Sequence, residues 1–115
     1  MAGSGKCPIY EINTGDRSGK VAFFDAIRSS FPLDPPVISC RSWDALSDSL
    51  WQGIYSSGHD REVILWPDAT IFSRETPEDF RIAMEILEEV AGLFADEVAT
   101  QGKMKEVCIY VGIRQ

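Results

Sequence analysis

The chain has 115 residues, of which 44% are hydrophobic and 25% are charged, as is usual for one globular domain with one core. Its formal net charge of −7 argues against non-specific binding to nucleic acid, which requires a basic surface. No segment has the ~18 uninterrupted apolar residues of a membrane span, and the N-terminus has no apolar signal region. We therefore expect an acidic cytoplasmic protein that binds neither nucleic acid nor membrane directly.

Chemistry that depends on a metal or a cofactor finds no support in the sequence. Cys7, Cys40 and Cys108 are odd in number and lack the spacing of metal ligands, so we expect reduced thiols. His59 is the only histidine and has no companion for a metal site. The sequence thus predicts no cofactor and no metal.

The first half of the chain predicts a strand, a helix and a proline-bearing loop. Residues 1–7 are expected to be a disordered leader, and residues 8–115 a single domain. Ile9 to Ile12 form the first predicted strand. Ser18 is the predicted cap of a first helix that ends before the proline-rich segment beginning at Pro32.

The middle of the chain predicts a second helix and a second strand. Ser42 is expected to cap a helix that runs to about Tyr55. The continuous apolar run from Val63 to Trp66 is typical of a strand that is buried on both sides or nearly so. The segment from Ala69 to Glu75 is compatible with one short helical turn.

The last part of the chain predicts a long helix and a third strand. Thr76 and Pro77 have the pattern of a helix start, and apolar residues at helical spacing continue to Val98, with Gly102 as the expected end. Residues 107–111 form the last predicted strand. Because helices connect successive strands, we predict an α/β fold with a small, three-stranded, mostly parallel sheet and helices packed against it.

The second predicted helix carries an unusual pair of acids. Asp44 and Asp48 lie four residues apart, where like charges repel by about 0.2–0.5 kcal/mol, so the pair favours a positively charged partner. Two carboxylates at this spacing could also hold a cation or act as an acid–base pair. No histidine, glycine-rich turn or third acid nearby supports that reading.

A helical-wheel projection separates these acids from the face expected to be buried. Asp44, Ser47, Asp48, Trp51 and Tyr55 fall in one sector, away from Leu46 and Leu50. Aromatic residues beside charges are typical of protein–protein interfaces. Alternatively, the two aromatics fold back onto the rim of the core and the acids are simply solvated. Composition and spacing do not choose between these interpretations.

The pattern Trp-Asp-Ala-Leu-x-Asp-x-Leu over residues 43–50 resembles the barstar family of ribonuclease inhibitors. An apolar strand ending in Trp66 follows it, as in that family. The resemblance implies that Asp48 takes the place of the substrate phosphate among basic nuclease side chains, and that Asp44 contacts further basic groups. It also implies contacts from the loop before the helix, including Ile38, and from an acid on the long helix, Asp96 or Glu97.

The chain differs from barstar around the two acids. Ser47 stands where barstar has a tryptophan, and residues 38–41 lack the aromatic and the glycine of the family's loop. The target could therefore be barnase, another nuclease or another basic protein.

The leading hypothesis is a bacterial inhibitor, monomeric when free, that protects its producer by binding a basic ribonuclease. It would have no enzymatic activity. The alternatives are a non-inhibitory interaction module for another basic partner and, less favoured, a small α/β enzyme that uses Asp44 and Asp48.

Overall fold

Three parallel strands form one sheet, in the order β1-β2-β3, in a computed structural model that describes residues 7–37 and 42–114. The strands are β1 (Ile9–Glu11), β2 (Arg61–Trp66) and β3 (Glu106–Val111). The helices are α1 (Lys20–Ser30), α2 (Trp43–Tyr55), α3 (Thr70–Glu75) and α4 (Pro77–Phe94). Helices α1 and α2 connect β1 to β2, and α3 and α4 connect β2 to β3. The predicted three-stranded α/β fold is confirmed.

The core lies on one face of this sheet. Ile64 and Trp66 of β2 point to that face and are completely buried against apolar residues of the helices. Val63 and Leu65 alternate with them, point to the other face and are only half-buried. The prediction that β2 is buried on both sides or nearly so therefore agrees with complete burial on the inner face and partial burial on the outer face, because the apolar faces of the helices contact only one side of the sheet.

The start of α1 differs from the prediction that Ser18 caps it. The residue before the helix is Gly19, and it makes no side-chain capping bond. Instead, the backbone N–H of Lys20 donates to Oδ2 of Asp79 at 3.1 Å, and that of Gly19 donates to Oγ1 of Thr76 at 3.0 Å. The start of α4 thus supplies the acceptors that α1 lacks in its own sequence.

The long helix α4 begins at Pro77, as predicted, but ends at Phe94 instead of near Gly102. Oδ1 of Asp96 accepts hydrogen bonds from the backbone N–H groups of Val98 and the next residue at 2.8 and 3.0 Å. This side chain therefore starts a separate turn, which ends at Gly102 with a positive φ of 84°. An aspartate that bonds to the backbone locally competes with continuation of the helix.

The remaining predicted elements agree with the structure. Ser42 caps α2, and the segment predicted as one helical turn forms α3. Of the predicted leader, residues 1–6 lie outside the described residues, as does Ile38. Across the described ranges, no helix is both long and apolar enough to cross a membrane.

A buried ion pair joins the sheet to the end of α2. Nζ of Lys105 lies 2.6 Å from Oε2 of Glu62, and the two side chains are 5% and 0% exposed. The same ammonium group donates to the backbone carbonyl of Ile54 at 2.6 Å and to Oγ of Ser57 at 3.0 Å. The hydroxyl of Tyr10 donates to the other carboxylate oxygen of Glu62 at 2.5 Å. The pair therefore has the additional hydrogen bonds that a buried charge needs.

Burial and the bond to Glu62 raise the pKa of Tyr10 above its usual range. Since the folded-state pKa is higher than that of the unfolded chain, the associated stability is fully present below about pH 10 and is lost as the pH rises through the folded-state pKa. We expect one tyrosine to ionise distinctly later than a model tyrosine in an ultraviolet absorbance titration. Tyr10→Phe should remove that late step, and persistence of the step in this variant would contradict the assignment.

Candidate protein-binding site

Helix α2 presents Asp44 and Asp48 on its exposed side. Oγ of Ser42 accepts a hydrogen bond from the backbone N–H of Ala45 at 3.1 Å, which satisfies one of the unpaired donors at the helix start. Asp44 lies in the first turn, where the helix dipole favours a negative charge. Both carboxylates are therefore displayed from a helix whose start is well capped.

The opposite side of α2 is anchored in the core and in the loop before the helix. Leu46, Leu50 and Ile54 are completely buried. The buried hydroxyl of Ser49 donates to the backbone carbonyl of Pro35. These contacts leave α2 little freedom to rotate, so the positions of the two exposed acids are set by the core.

Gly53 allows the backbone of α2 to lie in close contact with the loop that precedes the helix. A Cβ atom at this position would lie 1.3 Å from the carbonyl oxygen of Pro32, so the backbones would have to separate. We expect Gly53→Ala to reduce the free energy of unfolding by about 3 kcal/mol or more, as for severe overpacking. Urea denaturation measures this change.

Gly92 provides the matched control in α4, because a Cβ atom there meets nothing within 4 Å. We expect Gly92→Ala to stabilise the protein by about 0.5–1 kcal/mol through helix propensity alone. Equal effects of the two substitutions would contradict the close approach at Gly53.

A shallow groove of about 200 Å³ separates the start of α2 from α4. Apolar and acidic side chains alternate around it, namely Trp43, Asp44, Ile82, Glu85, Ile86 and Glu89. Glu85 also bonds to Arg81 at 2.5 Å on the exposed side of α4. The groove therefore places two glutamates of α4 beside Asp44, which extends the acidic surface beyond α2.

The sequence interpretation missed Glu85 and Glu89. Glu85 and Glu89 are four residues apart, as are Ile82 and Ile86, and this spacing indicates that all four residues lie on one flank of α4. It did not indicate which other helix that flank would meet.

Trp51 and Tyr55, the aromatic residues beside the acids of α2, fold back onto the rim of the core. The ring of Trp51 stacks on that of Phe94 with centroids 5.5 Å apart and on that of Tyr55 at 4.7 Å. The Tyr55 hydroxyl also donates to the backbone carbonyl of Thr100 at 3.0 Å. Trp51, Tyr55 and the neighbouring Ser47 are each half-buried, so part of each side chain remains at the surface.

Asp96 does not lie beside Asp44. It follows the end of α4, near the stack of Trp51 on Phe94, whereas Asp44 lies at the start of α2. Trp51 follows Trp43 by eight positions, which corresponds to about 12 Å along the helix axis. The carboxylate of Asp96 already caps a turn, as described above, while the exposed Glu97 carries no such bond among the described contacts.

The arrangement suits binding better than catalysis. Asp48 lies on the open surface and Asp44 at the edge of a shallow groove, so the two do not converge in a concave pocket, as an acid–base pair would require. Among the described residues, no group of three or more histidines, cysteines or acids is arranged to hold a metal ion.

Comparison with individual curated proteins and with solved structures gave no significant match. Comparison with protein families did give one, over most of the chain. Residues 8–109 match the family described as barstar, the barnase inhibitor. That range includes β1, β2, the four helices, both acids of α2 and the first four residues of β3. The chain therefore belongs to the barstar family.

Proposed function

We propose that this chain inhibits a basic ribonuclease by covering its active site with α2 and the adjacent acidic flank of α4. The observation that carries the proposal is the exposed pair Asp44 and Asp48 on a helix fixed by its buried side. Membership of the barstar family supports a ribonuclease as the partner. We place the protein in the cytoplasm of the cell that makes the nuclease, where such an inhibitor would protect its producer.

Each acid has a distinct task in this mechanism. Asp48, near the middle of α2, would occupy the position of an RNA phosphate among the arginine, lysine and histidine side chains of the nuclease. Asp44, together with Glu89, would face basic side chains at the edge of that active site. Opposite charges accelerate encounter, and ion pairs that lose water on binding slow dissociation.

The fixed position of α2 contributes to affinity in its own right. Ordering a flexible segment on binding costs about 0.5–1.5 kcal/mol for each immobilised side chain. The capped start at Ser42 and the close approach at Gly53 order the backbone before any partner arrives. We therefore infer that little of the interaction energy is used to organise the helix.

The test is the protection of RNA from a panel of basic microbial ribonucleases mixed with increasing amounts of the purified chain. We expect stoichiometric loss of activity for at least one of them. The non-inhibitory interaction module predicts capture of a basic protein with full activity of every ribonuclease, and that outcome would overturn the proposal.

A further inference from the structure

Exposed apolar side chains continue the α4 side of the groove toward the end of that helix. Glu89 lines the groove beside Asp44, and Leu93 follows Glu89 by about one helical turn on the same flank of α4. Leu93 is 38% exposed, and Val98, in the turn that follows α4, is 87% exposed. The exposed flank thus changes from acidic to apolar along α4.

Two contacts place the end of α4 beside the second half of α2. The ring of Trp51 stacks on that of Phe94, and the hydroxyl of Tyr55 donates to the backbone carbonyl of Thr100 at 3.0 Å. Because Trp51 follows Asp48 by three positions, it lies on the same side of α2, about one turn further along. The apolar end of the α4 flank is therefore continuous with the acidic surface of α2.

The turn that carries Val98 is held by its own hydrogen bonds. Oδ1 of Asp96 accepts from the backbone N–H of Val98 at 2.8 Å, and the backbone N–H of Gly102 donates to the carbonyl of Glu97 at 2.9 Å. Thr100 of the same turn is completely buried. Val98 is thus presented from an ordered backbone, so that covering it on binding requires little further ordering of the chain.

We propose that Trp51, Leu93 and Val98 form an apolar half of the partner surface, which contacts an apolar patch beside the basic active site of the nuclease. This inference rests on the proposed function and adds a second requirement for the partner. Asp44 and Asp48 accelerate encounter with basic side chains, and the apolar half gains free energy from the area it removes from water. Because both halves lie on the same two helices, one partner covers both.

An added carboxylate at position 98 tests the proposal by the sign of its effect. Outside the interface with a basic partner, a new acid should leave dissociation unchanged and slightly accelerate association. Within an apolar contact, Val98→Asp places an unpaired charge, and we expect dissociation to become faster by about tenfold or more. Surface plasmon resonance with a ribonuclease that the chain inhibits measures both rates.

Ile9→Asp is the matched control for Val98→Asp. Ile9 is 62% exposed and pairs in register with Val63, which points to the side of the sheet away from the helices. The control adds the same charge to the protein and should not accelerate dissociation. Equal dissociation rates of the two variants, with a nuclease that the wild-type chain inhibits, would overturn the apolar contact and leave the proposed function intact. If the wild-type chain inhibited no ribonuclease, the proposed function and this inference would fail together.

Salt dependence distinguishes the apolar half from the acidic half. Leu93→Ser should raise the dissociation constant by about tenfold at both low and high salt, because salt does not screen apolar burial. The effect of Asp44→Ala should decrease as the salt concentration rises, because it depends on charge. An unchanged dissociation constant for Leu93→Ser would contradict the proposal.

Discussion

Glu62→Ala should reduce the free energy of unfolding by about 3–5 kcal/mol, because it leaves the ammonium group of Lys105 buried without its counter-ion. The variant also deprives the Tyr10 hydroxyl of its acceptor. Replacing both charged residues by methionine should cost much less than the sum of the single changes, since no unpaired charge then remains. Urea denaturation of Glu62→Met, Lys105→Met and the double methionine variant measures this coupling.

Glu106→Ala is the matched control for Glu62→Ala. Glu106 of β3 pairs with Arg61 of β2 at 2.7 Å, one residue along the chain from each member of the buried pair, but those side chains are 58% and 67% exposed. The loss of such a surface pair should cost no more than about 1 kcal/mol. If Glu62→Ala were no more destabilising than Glu106→Ala, the buried pair would not anchor the end of α2.

Asp48→Ala should weaken binding to the target nuclease by about 2–5 kcal/mol, a general figure for such interfacial charge pairs that includes barnase–barstar data. The loss should appear mainly as faster dissociation, because basic groups of the nuclease would remain buried without a partner. Asp44→Ala should weaken binding less, since Asp44 lies at the edge of the surface and Glu89 remains nearby. Surface plasmon resonance resolves both rates.

Two controls separate a loss of binding from a loss of fold. Asp48→Ala removes a repulsion on α2 and should leave the unfolding midpoint unchanged or slightly raised. Asp16→Ala removes the same charge from an exposed position outside α2, in the loop after β1, and should leave dissociation unchanged. If Asp16→Ala and Asp48→Ala weakened binding equally, Asp48 would contribute only through the net charge of the protein.

Local features of the fold could be predicted from the sequence because their causes are local. A serine beside an apolar helical pattern predicted the start of α2, and Pro77 predicted the start of α4. The end of α4 was missed because Asp96 bonds to the backbone two and three residues ahead, which interrupts a pattern that apolar spacing alone extends to Val98.

Features that depend on how elements meet could not be predicted in this way. The helical wheel placed Asp44 and Asp48 away from the core, and the structure leaves both exposed. The wheel did not show that Trp51 stacks on Phe94, because that contact requires α4 to lie along α2. The glutamates beside Asp44 were missed for the same reason.

Competition with a small phosphate ligand tests the central claim most directly. If Asp48 takes the place of an RNA phosphate, a mononucleotide bound in the nuclease active site must leave before the inhibitor binds. The apparent inhibition constant of the chain should then rise in proportion to mononucleotide concentration. Formation of a ternary complex, with an inhibition constant that does not change as mononucleotide is added, would contradict the account.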